Sequence, residues 1–257
     1  MLKQVSNRDH VNSLARGLEV IRAFTRTRPS MTLSDISRAT DMTRATVRRF
    51  ILTLVREGYA ETDGKYFSLR PKVLELGFAA LSSLSFVDVV QPILTSMACN
   101  LKESVFAAVF EKDHVVYVAS AKAPDRALGM SVSVGSRAPA HSVSTGRILL
   151  AALPEEELLE YLDNSKITKL TPNSVTSKVK LRSLIEETRT KGWSIVDQEF
   201  EIGLRGMAVP IRNKSGQVIA ALNVGCPTSR ISYQEMNSTI LLELQKASQT
   251  ITENLQT

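Results

Sequence analysis

Residues 32–69 carry helix and strand signals in an order that few small domains can accommodate. Thr32-Leu33-Ser34-Asp35 is a threonine N-cap with an acidic residue three positions on, and Leu33, Ile36 and Ala39 give the short helix after it an apolar stripe. Asp41-Met42-Thr43 breaks that helix. From about Thr43 a second helix places Val47, Phe50, Ile51, Leu54 and Val55 on one side and Arg44, Arg48 and Arg49 on the other. Gly58 stops it, and Tyr59-Ala60-Glu61-Thr62 and Tyr66-Phe67-Ser68-Leu69 alternate as two short strands around the turn Asp63-Gly64-Lys65. Ahead of the pair, residues 13–25 set Leu14, Leu18, Ile21 and Phe24 at spacings of four and three, which predicts a helix with that side turned inward, closed by Pro29. Helix, capped helix, three-residue break, helix and hairpin is the order of a winged helix-turn-helix.

The chemistry of that module points to duplex DNA. The second helix of the pair opens with Thr43, Arg44, Ala45 and Thr46, small and polar enough to approach base edges, and its outward arginines donate to guanine or phosphate. Thr43, Arg44, Thr46, Arg48 and Arg49 are the expected contacts, with Lys65 at the hairpin tip reaching a phosphate or the adjacent minor groove. Any one arginine is also what a solvated helix face carries, so the weight lies on the combination. Charge supports it. Of 32 Lys and Arg and 26 Asp and Glu, 14 and 8 fall within residues 1–84, leaving 18 and 18 in the remainder, so the whole excess of +6 sits in the first third.

The rest of the chain reads as a second module. Pro71 ends the wing, and residues 72–85 are too apolar for a solvated spacer, so they pack on the chain's own domains or pair with a second copy. A helix capped by Asp88 is expected over 88–103, then strands at 104–111, 114–120, 127–134, 193–200, 206–212 and 217–225. Helices are expected near 144–153, 155–163 and 176–190, with a last one capped by Ser232 and Glu235. This gives an α+β architecture: domain 1–70, linker helix 71–87, and a domain over 88–257 with a six-stranded antiparallel sheet. The polar residues 1–17 lack the apolar core of a secretory signal, which places the protein in the cytoplasm, with Cys99 and Cys226 unpaired and no membrane partner. No GxGxxG, Walker, GxSxG or HExxH motif occurs and His10, His114 and His141 are far apart, so neither catalysis nor a metal or cofactor is expected. The competing class is an enzyme or non-DNA small-molecule sensor with a basic accessory domain.

Asn12 to Val20, Leu33 to Ser37, Thr46 to Leu54 and Glu57-Gly58-Tyr59 together resemble the DNA-binding domain of IclR-type bacterial transcriptional regulators, and the similarity continues over nearly the whole chain. The resemblance implies a winged helix-turn-helix, a linker helix, an effector domain related to GAF and PAS modules, and assembly as a homodimer or a tetramer on operator DNA. Gly135 to Ala151 is similar to the family's pocket loop and helix start. By that likeness Ser144 and Thr145 offer backbone N–H groups to a small organic acid, His141 and Ser142 add side-chain donors, and Arg137 is a ligand partner or a structural anchor. Arg147 is expected to cap or pair on the surface. Asp197 to Ile211, which includes Glu201, and Ala220 to Pro227, which includes Asn223 and Gly225, match two further pocket stretches. Met130, with Leu128, lies on a strand expected to edge the pocket, as core, contact or both. Two departures, Val196 where relatives carry an acidic group and Gly206 where a cysteine occurs, imply a roomier, less polar pocket suited to an aromatic acid. Glu199 to Arg205 and Gly135-Ser136-Arg137 look closest to regulators of aromatic-acid catabolism through the β-ketoadipate pathway.

Overall fold

A computed structural model describes residues 10–25, 27–77, 86–123 and 132–255. The chain divides into two compact units, Met1–Ser83 and Leu84–Thr257. In the first, α1 (Asn12–Ala23), α2 (Leu33–Thr40) and α3 (Arg44–Arg56) pack around Val20, Met31, Ile36, Val47 and Ile51. The box at the start of α2 forms as its sequence requires: Asp35 N–H donates to Thr32 Oγ1 at 3.3 Å and Thr32 N–H to Asp35 Oδ2 at 3.0 Å. The Thr32 hydroxyl, which donates to Asp35 Oδ2 at 2.6 Å, and then the Thr32 amide hold the Asp35 carboxyl at about 2. Asp41 closes α2 in the left-handed region, φ 52°.

Two expectations for this unit need correction. The wing has three strands, because β1 (Ser30–Thr32) adds to β3 (Tyr66–Leu69) on the side opposite β2 (Ala60–Thr62), with Met31 facing Phe67. The inward side of α1 is also different. Val20 and Ala23 are buried, whereas Leu14 and Leu18 are 65% and 44% exposed. Val20 and Ala23 belong to the core that also holds Val47 and Ile51 of α3, with Phe50 packed against it, so the face carrying Leu14 and Leu18 is the one left to solvent. Beyond the wing, Pro71–Val73 is a 3₁₀ turn and residues 74–77 are helical; residues 78–85 of the expected linker helix lie outside the described residues.

The second unit is a six-stranded antiparallel sheet in the order β6-β5-β4-β9-β8-β7. Its strands are β4 (Ser104–Glu111), β5 (His114–Ala121), β6 (Arg137–Pro139), β7 (Ser194–Asp197), β8 (Leu204–Arg212) and β9 (Val218–Pro227). α4 (Phe86–Leu101) starts ahead of Asp88, which sits in its first turn and does not cap it. α4 packs on β5 and on the terminal helix α8, which runs over 233–254 from a Ser232–Glu235 capping box and contains a π turn at Met236–Ile240. α5 (Ser144–Ala151), α6 (Glu155–Asn164) and α7 (Lys178–Lys191) enclose a core with Phe106, Ala108, Ala208 and Ala221 of the sheet. The alternate residues Val105, Ala107, Met207 and Leu222 are buried too, so both sheet faces are covered.

The third strand is not where its alternation placed it. Residues 127–131, Met130 and Leu128 among them, lie outside the described residues, and 132–134 are not strand. The strand on the outer side of β5 is Arg137–Pro139, directly after a turn with Gly135 at φ 86°. An edge position lets Pro139 sit in it, since a missing N–H costs nothing on an outer rim. β7 likewise ends earlier than expected, because Gln198 adopts φ 57°.

Candidate functional site

Two surfaces carry the expected chemistry, one in each unit. In the first, Thr43 is the N-cap of α3: its Oγ1 accepts from Thr46 N–H at 3.2 Å and lies 2.9 Å from Thr46 Oγ1. Val47 and Ile51 anchor the inner side of the helix, which turns Arg44, Arg48 and Arg49 outward and exposed. None of the three guanidinium groups has a side-chain partner among the described residues, so all remain available to an anion. The hairpin tip is built for a fixed backbone. Gly64 sits at φ 98°, where an L side chain would be strained, and Asp63 Oδ1 accepts from Tyr66 N–H at 2.7 Å and Lys65 N–H at 2.8 Å. Those two amides, Tyr66 first, hold the Asp63 carboxyl below the usual range. Lys65 Nζ rests 5.3 Å from the Tyr66 ring centroid, with its charge in solvent.

In the second unit, a cavity lies between the start of α5 and the sheet. Ser142, Val143 and Ser144 form one wall, Tyr117, Asn223 and Gly225 another, and Val196, Phe200, Leu204 and Gly206 close it. α5 reaches the cavity with no side-chain cap, leaving its first N–H groups and positive end toward the space. It can come this close because Gly146 packs on the preceding turn: a Cβ there would meet Ala140 O at 2.0 Å. Asn223, 4% exposed, donates from Nδ2 to Ser144 Oγ at 3.2 Å, Val224 O at 3.1 Å and Met207 O at 3.4 Å. Its Oδ1 is buried without a donor, as is Thr145 Oγ1. The Tyr117 hydroxyl approaches Thr145 Oγ1 without reaching hydrogen-bond geometry, and burial pushes that phenol upward.

Of the residues expected to bind an effector, the fold brings Ser142, Ser144, Asn223 and Gly225 to one cavity, while Thr145, next to Ser144 in α5, is buried and outside its lining. Arg137, His141 and Glu201 are placed elsewhere. Arg137 pairs with Glu111 at 2.8 Å on the surface, and Glu201 is exposed. His141 is buried, its Nε2 3.1 Å from Thr168 O, and burial lowers its pKa. Two expectations are corrected. Arg147 is not on the surface: it is 3% exposed, and its Nη2 donates to both Glu199 oxygens at 2.6 and 2.7 Å. Nor does Gly206 make room, since a Cβ there would stand 3.1 Å from Ser144 Oγ and 3.3 Å from Asn223 Nδ2, and the cavity measures about 30 Å³. The glycine instead lets the Ser144–Asn223 bridge close over bare backbone. Tyr117, Phe200 and Leu204 were not singled out as contacts, because strand alternation marks a buried tyrosine only as core.

A larger groove of about 650 Å³ lies at the other end of α5, beside Arg189 and Arg212. Arg189 donates there to Ala151 O and Leu153 O, and Arg212 to Gly216 O. No orphaned buried polar atom belongs to its lining, so the smaller cavity has the stronger chemical claim to a ligand. No group of three or more His, Cys, Asp or Glu among the described residues could hold a metal ion, and no described helix is long and apolar enough to cross a membrane.

Comparison with known proteins finds matches to both units. The family model of the IclR helix-turn-helix domain matches residues 13–64, and that of the C-terminal domain of IclR bacterial transcriptional regulators matches residues 78–253. The Pca regulon regulatory protein of Pseudomonas putida is 41% identical over 96% of this chain and 85% of its own length. The p-hydroxybenzoate hydroxylase transcriptional activator of Acinetobacter baylyi is 30% identical over 93% and 90%. Among solved structures, an IclR homologue from Microbacterium hydrocarbonoxydans complexed with 4-hydroxybenzoate aligns at a TM-score of 0.81 and 27% identity, covering 95% of this chain and 98% of that one.

Proposed function

This chain belongs to the IclR family of bacterial transcriptional regulators, and from that premise we propose that a small aromatic acid, held between the start of α5 and Asn223, controls its hold on operator DNA. The observation that carries the effector reading is the buried, donorless Asn223 Oδ1 facing a cavity at an uncapped helix start. A buried acceptor without a donor is costly, roughly 1–3 kcal/mol, and a ligand hydroxyl removes that cost. The α5 amides and the Ser144 hydroxyl supply donors for a carboxylate. A hydroxylated aromatic acid meets both demands, and the relatives named for the Pca regulon and for p-hydroxybenzoate hydroxylase, with the homologue bound to 4-hydroxybenzoate, support that class.

Arg44, Arg48 and Arg49, with Thr43, Thr46 and Lys65, are the proposed DNA contacts. Reading a palindrome needs two copies. Val11, Leu14 and Leu18 form an exposed apolar stripe, and Leu74 and Leu76 are 75% and 53% exposed, which supports self-association as a homodimer, or a tetramer formed from two dimers. The site of action is the cytoplasm, where the operator lies. A thermal-shift series on the full chain with benzoate, 4-hydroxybenzoate, 3,4-dihydroxybenzoate and pyruvate tests the effector reading. Stabilisation by the hydroxylated aromatics is the expected result, and stabilisation by pyruvate alone would refute it.

A further inference from the structure

The cavity that the effector reading depends on is too small for the ligand it would take. Its 30 Å³ falls well short of the roughly 150 Å³ of a cavity that accommodates a benzene ring. One wall must therefore yield. Tyr117, Val196, Leu204, Gly206, Asn223 and Gly225 stand on paired strands, and Ser142–Ser144 lead into a helix packed on the sheet. Phe200 alone comes from the segment between β7 and β8, whose ends are both left-handed, Gln198 at φ 57° and Gly203 at φ 82°. Gln198 Oε1 accepts from Gly203 N–H at 3.1 Å, so the segment forms a cap closed on itself.

The ends of the cap are held by Thr171 Oγ1, which donates to Gln198 O at 2.7 Å, and by Thr228 N–H, which donates to Gly203 O at 2.8 Å; next to Phe200 itself the tie is Glu199. Glu199 is 7% exposed; besides the two bonds from Arg147 Nη2, its Oε2 accepts from Val175 N–H at 3.2 Å and its carbonyl from Ser174 Oγ at 2.7 Å. Arg147 also donates to Ile195 O at 3.4 Å and lies one turn along α5 from Ser144. The helix that presents its N–H groups to the cavity thus also fastens the cap.

We propose that the Arg147–Glu199 ion pair is a latch that fixes Phe200 as the movable wall of the cavity and so sets the size of acid the site admits. Both are positioning residues; neither touches the ligand. The inference rests on reading the cavity as the effector site. The ion pair persists in the unliganded cap, opens as a unit with the Val175 amide when acid enters, and recloses over it.

The test compares the unaltered full chain with the R147M/E199M double variant, which removes both buried charges together and leaves neither uncompensated. Calorimetric titration with 4-hydroxybenzoate and with 2-naphthoate gives an affinity ratio for each protein. The latch predicts that the preference for the single ring falls by about tenfold or more in the variant, with operator affinity in the absence of acid unchanged. A folded variant with an unchanged ratio overturns it. Amide exchange on the unaltered chain decides independently should the variant not fold: residues 199–203 and Val175 exchange at one common rate that 4-hydroxybenzoate slows. Amides of the cap as protected as those of β8, with or without acid, overturn the latch. If the unaltered chain binds neither acid, the effector reading itself fails, and the latch with it.

Discussion

Replacing Asn223 by Leu separates what this residue does for the fold from what it does for a ligand. Leucine keeps the branching at Cγ and removes the polar atoms. The folded protein loses three hydrogen bonds from Nδ2, at 3.1–3.4 Å, of which two go to strand carbonyls. At the long end of the distance range these are worth about 0.5–1 kcal/mol each. Against that, the variant no longer buries the donorless Oδ1, a gain of about 1–3 kcal/mol, and adds apolar surface to the core. The two sides nearly cancel, so stability without ligand should change by no more than about 1 kcal/mol. Ligand affinity behaves differently. Loss of the acceptor for a ligand hydroxyl costs about 1.4–2.7 kcal/mol, ten- to a hundredfold. An acid present at 100 times its dissociation constant stabilises the native chain by about 2.7 kcal/mol, and the same concentration stabilises the variant by only about 0.4–1.4 kcal/mol. For a unit of this size each kcal/mol moves the midpoint by about 2–4 °C. A shift of about 5–11 °C with 4-hydroxybenzoate should therefore shrink to about 1–6 °C. A variant that keeps the full shift would refute the placement of the ligand, and one that loses more than about 3 kcal/mol without ligand would show Asn223 to be chiefly structural.

Arg48→Ala and Arg49→Ala should each weaken operator binding without unfolding α3 and lower the slope of log affinity against log salt by about one; an unchanged slope would remove that residue from the phosphate contacts. Gly146→Ala drives a methyl into Ala140 O and should destabilise the second unit by about 3 kcal/mol or more, read by denaturant unfolding. Leu14→Ser with Leu18→Ser should leave the helical circular dichroism intact and lower the mass seen by sedimentation; an unchanged assembly would move the interface away from α1. His141 has a lowered folded pKa, so its contribution is undiminished above about pH 6.5 and declines as pH falls below that value toward the folded pKa, where only the unfolded chain takes up the proton. His141→Gln, which retains a donor for Thr168 O, should flatten the acid-side loss of stability; an equally steep loss would assign it to other groups.

Local chemistry made the DNA-binding unit legible. The Thr32–Asp35 box, the Thr43 cap, the break at Asp41 and the Asp63-Gly64 turn are each decided within four residues, and each formed. Choosing the inward face of α1 required knowing that Val20 and Ala23 would meet Val47 and Ile51 of α3, and adding β1 to the wing required the pairing of Met31 with Phe67, neither of which is a local matter. The same division holds in the second unit. Asn223, Ser144 and Gly225 are expected near one another from family likeness, and the fold brings them to one cavity. The burial of Arg147 could not be foreseen, because its partner Glu199 is 52 residues away and an arginine one turn into a helix carries no sign of which way it faces. The space at Gly206 misled for the related reason that an absent side chain says nothing of what moves in to replace it.

Regulation by an acid requires that its site and the DNA face share one equilibrium, and the coupling must be the same from either side. The most direct measurement is therefore operator binding by the full chain, by fluorescence anisotropy at fixed salt, with and without saturating 4-hydroxybenzoate, paired with acid affinity measured with and without operator. A common coupling factor of about 5–150-fold in both directions is the predicted result. An acid that binds tightly but leaves operator affinity unchanged would contradict it.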